Sequence, residues 1–210
     1  MVIPLSAKGF AEFVLGGPNK KSQIVRNILK PKSKEAQIIA HYYAPAVNII
    51  RVYHAKGNDR VYLKETLHSL EVKLENAPSS QARAKLRNNI RAITGYVDHY
   101  GNKKRKVVPR PRIYYSFGNV RLSASPDLAV EENGGLKLLK LGVTKDGDKP
   151  EVVRIMLRVI YQAAKTRFKI ESPDVVYLDI SKGVHSQGSP QDAHLATTID
   201  NGCNALAEMC

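Results

Sequence analysis

The hydrophobic period changes at Pro109 and Pro111. Before these prolines, apolar residues recur at three- and four-residue spacing, the pattern of helices with one buried face. Beyond them the apolar residues come in strand-like runs, and a helical pattern then returns between two such runs. The order expected is several helices, then strand, strand, strand, helix, strand. A helix between two strands permits a parallel crossover, whereas the tight turns predict antiparallel pairs, so the sheet is expected to be mixed. The fold class expected is α/β: a small mixed β-sheet flanked by helices, with a helical N-terminal half.

Within the helical half, Ser6 can cap a helix carrying Phe10, Phe13 and Val14, stopped by Gly16-Gly17-Pro18. Ser22 can cap a short turn through Ile24, Val25 and Ile28. Ser33 can cap the next helix, bearing Ile38, Ile39, Tyr42, Tyr43, Val47, Ile50 and Tyr53, with Pro45 expected to kink or split it. Its apolar density predicts a central position. Residues 61–74 repeat Leu63, Leu67, Leu70 and Leu74, and a helix over 81–100 is expected to bury Ala82, Leu86, Ile90, Ile93 and Val97. Strands are expected at 113–117 and 120–130, parted by Gly118-Asn119, and at 136–143 after the turn Asn133-Gly134-Gly135. A helix at 151–165 and a strand at 175–180 follow. A closing helix is expected after Ser189-Pro190, interrupted near Gly202.

The 210 residues, 43% of them hydrophobic, suffice for one domain spanning 1–210. Residues 61–108 read as a helical insertion with a basic face, and 185–210 as a tail without Lys or Arg. Cys203 and Cys210 make neither a disulfide framework nor a zinc site, and the acidic tail around Cys203 does not favour a thiolate nucleophile. The N-terminus lacks the basic and apolar regions of a signal peptide. Residues 36–50, without Lys, Arg, Asp or Glu, are too few for a membrane span and contain His41, Pro45 and Asn48. A cytoplasmic protein with no membrane association is expected.

Charge points to the partner. Lys and Arg number 33 against 19 Asp and Glu, a net +14. Between Gln81 and Arg112 there are ten basic residues against Asp98 alone, so this window carries +9 of that charge. Arg83, Arg87 and Arg91 fall at i, i+4 and i+8 on one helix stripe, where like charges repel by a few tenths of a kcal/mol per pair. Phosphates would relieve that repulsion. Lys103, Lys104, Arg105 and Lys106 follow at the helix C-terminus, where the helix dipole favours cations. These seven residues are the expected nucleic-acid contacts. Lys20, Lys21, Arg26, Lys30, Lys32 and Lys34 form a second basic cluster. No zinc-finger, RNA-recognition or phosphate-loop motif appears, so DNA and RNA both stand.

Asp127, in Ser125-Pro126-Asp127, and Lys140 fall on strands that the turn at Asn133–Gly135 brings together. A carboxylate and a lysine on neighbouring strands suit metal-assisted phosphodiester cleavage. With these residues and the element order, the chain resembles the PD-(D/E)XK superfamily, the restriction-endonuclease-like fold, most closely its RecB-type exonuclease branch. The likeness covers about 120 residues. It implies that Asp127 binds Mg²⁺ and that Lys140 orients water or stabilises the phosphorane. The acid due two residues before Lys140 is Leu138, so Glu151 or Glu35 is expected to complete the metal shell. Tyr161 fits the branch's helix motif, whose glutamine is here Leu157, and His41 lies where that branch often has a histidine.

The function expected is nucleic-acid binding, with Mg²⁺-dependent cleavage at an altered site. The alternatives are a non-catalytic subunit of a larger nucleoprotein complex of genome defence or repair, and a structural module for an acidic protein partner.

Overall fold

A computed structural model describes residues 2–30 and 42–210. Ser33, Glu35, Ile38, Ile39 and His41 fall outside the described residues, as do Lys32 and Lys34, so the expectations placed on them go no further. Ser6 accepts the Gly9 amide at 3.0 Å and starts α1 (Ala7–Leu15). Helix α2 (Pro18–Leu29) begins at Pro18 rather than after Ser22. Proline at the first helical position forfeits no hydrogen bond. For the same reason Pro45 is accommodated in the first turn of α3 (Ala44–Ala55). Asp59 caps α4 (Arg60–Glu75), and Ser79 caps α5 (Ser80–Tyr100).

Among the described residues, eight strands form two mixed sheets. The first sheet has the order β1-β4-β3, from β1 (Ile3–Ser6), β4 (Val120–Ser123) and β3 (Tyr114–Phe117), with β1 parallel to β4. The second joins β2 (Lys106–Val108), β5 (Leu128–Glu132), β6 (Gly135–Gly142), β7 (Val175–Asp179) and β8 (Val184–Gln187) in the order β2-β5-β6-β7-β8. Helix α6 (Pro150–Ala164) makes the crossover from β6 to the parallel β7. The α/β class and the mixed pairing hold, but the single small sheet is two.

The segment read as one strand over 120–130 is the reason. It breaks at Ala124–Asp127 and passes from one sheet to the other. Ala124 still donates its amide to Ile113 in the first sheet, and Asp127 donates its amide to Leu139 at 2.8 Å in the second. Pro126, between them, has no amide to give. The antiparallel trio before the crossover helix is therefore β2, β5 and β6, with the β3–β4 hairpin inserted into another sheet. Asn133 and Gly134 both have positive φ, 53° and 77°, and turn β5 into β6 as a tight hairpin.

Helices cover both faces of the five-stranded sheet. Ala129, Leu138, Val175 and Tyr177 face α6, behind which α1 and α7 (Leu195–Met209) pack. Leu128, Val130, Leu139, Leu141, Val176 and Leu178 face Ile50 of α3 and Tyr96 and Tyr100 of α5. Helix α5, read within an insertion, is thus a layer of the core. Its most buried positions are Asn89, Ala92, Ile93, Tyr96 and Tyr100, a stripe rotated from the expected one because the tyrosines reach the sheet. Gly202 does not interrupt α7. A Cβ there would stand 2.7 Å from Val14 and 2.9 Å from Phe10, so glycine lets α7 close on α1.

Arg105, expected on a basic surface loop, is 5% exposed. Its guanidinium donates to the Tyr96 hydroxyl at 2.8 Å and lies 3.7 Å from Glu132. Tyr96 Oη also meets His54 Nε2 at 2.8 Å, and His54 Nδ1 meets Asn58 Oδ1 at 2.8 Å. With Arg105 donating to it, the hydroxyl donates to Nε2, which assigns the neutral imidazole proton to Nδ1. Burial, together with the nearby Arg105 charge, lowers the His54 pKa to about 4. Burial also raises the Tyr96 pKa to about 12.

Candidate functional site: a cationic cavity at the end of strand β6

Asp127 precedes β5 by one residue, opposite the C-terminal part of β6. Its Oδ1 accepts Lys140 Nζ at 3.0 Å, and its Oδ2 accepts the Leu141 amide at 2.9 Å. The carboxylate thereby continues the β5–β6 ladder for one step beyond the point where β5 begins. The expectation that Asp127 and Lys140 lie side by side on adjoining strands holds. The side chains are 18% and 28% exposed, open enough to meet a solute.

Around this pair is a cavity of about 680 Å³. Lys140 is in register with Tyr177 of β7. The Tyr177 ring runs along the sheet over Gly142, where a Cβ would stand 2.0 Å from the hydroxyl. That hydroxyl donates to Asp148 Oδ2 at 3.1 Å, and Lys8 of α1 holds Asp148 Oδ1 at 2.5 Å. Burial and the Asp148 charge both raise the Tyr177 pKa, so it stays a hydrogen-bond donor. Arg51 of α3 and Arg110, on the segment after β2, complete the charged lining.

The balance of the cavity decides its chemistry. Lys140 is neutralised by Asp127 and Lys8 by Asp148. Arg51 donates only to the neutral Asn48 Oδ1, at 2.9 Å, and neither Arg51 nor Arg110 forms an ion pair among the described residues. Among the described residues, two guanidinium charges are therefore uncompensated in a concave site, the arrangement that attracts phosphate or carboxylate.

A Mg²⁺ ion requires several oxygen ligands in near-octahedral array. Both Asp127 oxygens already serve Lys140 and Leu141, and both Asp148 oxygens serve Tyr177 and Lys8. Leu138, at the acid position the resemblance implies, is fully buried against α6. Glu151, expected to complete the shell, is exposed in the first turn of α6 and lines a different cavity, beyond Asp148. No group of three or more His, Cys, Asp or Glu among the described residues is placed to hold a metal. The described residues around Asp127 do not by themselves make a Mg²⁺ site.

None of the seven expected nucleic-acid contacts lines the Asp127 cavity. Arg87 and Arg91 line a neighbouring one. Arg83 is exposed and donates to the Ala77 carbonyl at 3.2 Å. Lys103, Lys104 and Lys106 are exposed, with Lys106 paired to Glu131 at 2.7 Å. The residues that sequence reasoning missed are Lys8, Arg51, Arg110, Asp148 and Tyr177. They come from separate segments, and no motif or spacing in the sequence links them.

Asp179 is buried and accepts the Ser181 and Lys182 amides as a turn anchor. Cys203 is buried, which raises its thiol pKa to about 12 and suits packing rather than attack. Among the described residues no helix is long and apolar enough to cross a membrane. Comparison with protein-family models, curated proteins and solved structures finds no match for this chain.

Proposed function

We propose that the chain binds nucleic acid through its phosphates at the Asp127–Lys140 cavity and does so without cutting it. The observation that carries this reading is the pair of uncompensated guanidinium groups, Arg51 and Arg110, facing a site whose other cations are already paired. The resemblance to PD-(D/E)XK proteins supports it further. With the β3–β4 hairpin set aside, a helix, the antiparallel strands β2, β5 and β6, a crossover helix and a parallel strand come in the order which that resemblance implies, and Asp127 and Lys140 lie at the two strands it implies. Leu138 in the core and the saturated carboxylates favour a binding site over a metal-dependent one.

Binding of a labelled oligonucleotide, followed by fluorescence anisotropy, tests this directly. Two or three phosphate contacts imply a log–log salt slope of roughly −2, or about 16-fold weaker binding on going from 50 to 200 mM salt. Arg51→Gln with Arg110→Gln should lower the measured slope by about 1.4, roughly 0.7 for each lost contact. Affinity indifferent to salt and to both arginines would refute the reading and favour an acidic protein partner. Strand cleavage in Mg²⁺ or Mn²⁺ that is lost in Asp127→Ala would overturn its non-catalytic part.

A further inference from the structure

Thr144, two residues beyond the end of β6, lines three cavities. One is the Asp127 cavity. A second, of about 550 Å³, shares Val143 and Thr144 with it and lies against α5. The third, of about 670 Å³, shares Lys8, Thr144 and Asp148 with it and lies against α1 and α6. Both neighbours thus adjoin the Asp127 cavity at Thr144.

Charge distinguishes the two exits. The second cavity presents Arg87, Arg91 and Lys145 against the single carboxylate of Asp98. The third presents Lys8, Lys20 and Lys149 against Glu12, Asp146, Asp148 and Glu151. The second attracts a polyanion and the third repels one. Arg87 and Lys145 are exposed and form no hydrogen bond or ion pair among the described residues, so both are available to a ligand. Arg91 is half-buried and leans on the Val143 carbonyl at 3.5 Å, the residue that joins the two cavities.

Size sets the class of ligand. Cavities of this volume enclose small-molecule-sized groups, about 300–1,000 Å³. Each volume is on the order of one or two nucleotide units, the scale of a single strand rather than of a stacked duplex. We infer that a single polynucleotide strand runs from the Asp127–Lys140 cavity over Val143 and Thr144 into a second phosphate subsite formed by Arg87, Arg91 and Lys145. The inference rests on the binding reading above and adds the strandedness, the path and a subsite to it. The arginine stripe on α5 then acts through Arg87 and Arg91, and Arg83, outside the second cavity, takes no part.

The test measures anisotropy of labelled 12-nucleotide single strands, DNA and RNA in separate arms, with the full chain. Arg87→Gln with Lys145→Gln removes two contacts of about 0.7 in salt slope each, which at 0.1 M salt is roughly 25-fold in affinity. Lys20→Gln with Lys149→Gln in the acidic cavity, and Arg83→Gln, should change affinity less than two-fold. An unlabelled 12-base-pair duplex should compete at least ten-fold less well than the strand. Unchanged melting of the Arg87/Lys145 variant would assign its loss to contact rather than to fold. If the strand binds and Arg51→Gln with Arg110→Gln weakens it, but Arg87→Gln with Lys145→Gln does not, the second subsite is refuted alone. Equal competition by duplex also refutes the inference. If no strand binds in either arm, both readings fall together.

Discussion

Gly142→Ala tests whether Tyr177 lies over the end of β6, the contact that shapes the cavity floor. A Cβ on Gly142 would stand 2.0 Å from Tyr177 Oη and 2.4 Å from Cζ. Carbon atoms pack at about 3.5–4.0 Å, so the ring must retreat by roughly 1 Å or more. Tyr177 is 3% exposed, on a strand paired on both sides, and has little room to retreat. Overpacking of a tight core costs about 1–3 kcal/mol. Displacing the hydroxyl from Asp148 adds about 1 kcal/mol. For a chain of this size, roughly 2–4 kcal/mol corresponds to a fall in Tm of about 5–15 °C. Circular dichroism melting of wild type and variant measures it. Gly135→Ala is the control, since its new Cβ would have one neighbour, Glu132 O at 3.8 Å. Combining Gly142→Ala with Tyr177→Leu, which removes both crowding atoms, should cost less than the sum of the single changes. A Gly142→Ala protein melting within 1 °C of wild type, or strict additivity in the double variant, would refute the placement of the ring.

Asp127→Asn removes a negative charge from the cavity while keeping one oxygen acceptor. It should tighten single-strand binding about five-fold at 0.1 M salt, the equivalent of one added phosphate contact. It should also lower stability by roughly 1–2 kcal/mol through the weakened Lys140 and Leu141 hydrogen bonds. Weaker strand binding in this variant would contradict a cavity that works by positive charge. His54 predicts a pH dependence. Its folded-state pKa, about 4, lies below the ordinary 6.5, so the unfolded chain binds the proton more readily. The stability that neutral His54 provides is full above pH 7 and declines as pH falls from 6.5 towards 4, with about 2 kcal/mol lost by pH 5. Urea midpoints at pH 7.5, 6 and 5 measure the decline, and His54→Gln should flatten it. A slope unchanged in that variant would place the titration elsewhere.

Much of the fold was legible because it is set by local chemistry. The Ser6 cap, the Gly118-Asn119 and Asn133–Gly135 turns and the period of α6 act over a few residues, and the structure has them where the pattern places them. The short edge strands β1, β2 and β8 carry no such pattern and owe their form to pairing with distant segments. The candidate site divides in the same way. Asp127 and Lys140 were legible because one hairpin joins them, thirteen residues apart in the chain. Arg105 was misread because only packing against Tyr96 and Glu132 turns a loop arginine inward.

The residues alone determined a mixed α/β chain with an excess of positive charge, and an acid and a lysine facing each other across a tight turn. Tertiary structure decided what surrounds that pair. It brought Lys8, Arg51, Arg110, Asp148 and Tyr177 from five separate segments to one cavity, saturated both carboxylates and, among the described residues, left two guanidinium groups without an ion pair. The physical reason is range. Hydrogen-bonded turns and helix periods are encoded within a few positions, whereas the net charge of a cavity is summed over side chains that only the packed layers make neighbours.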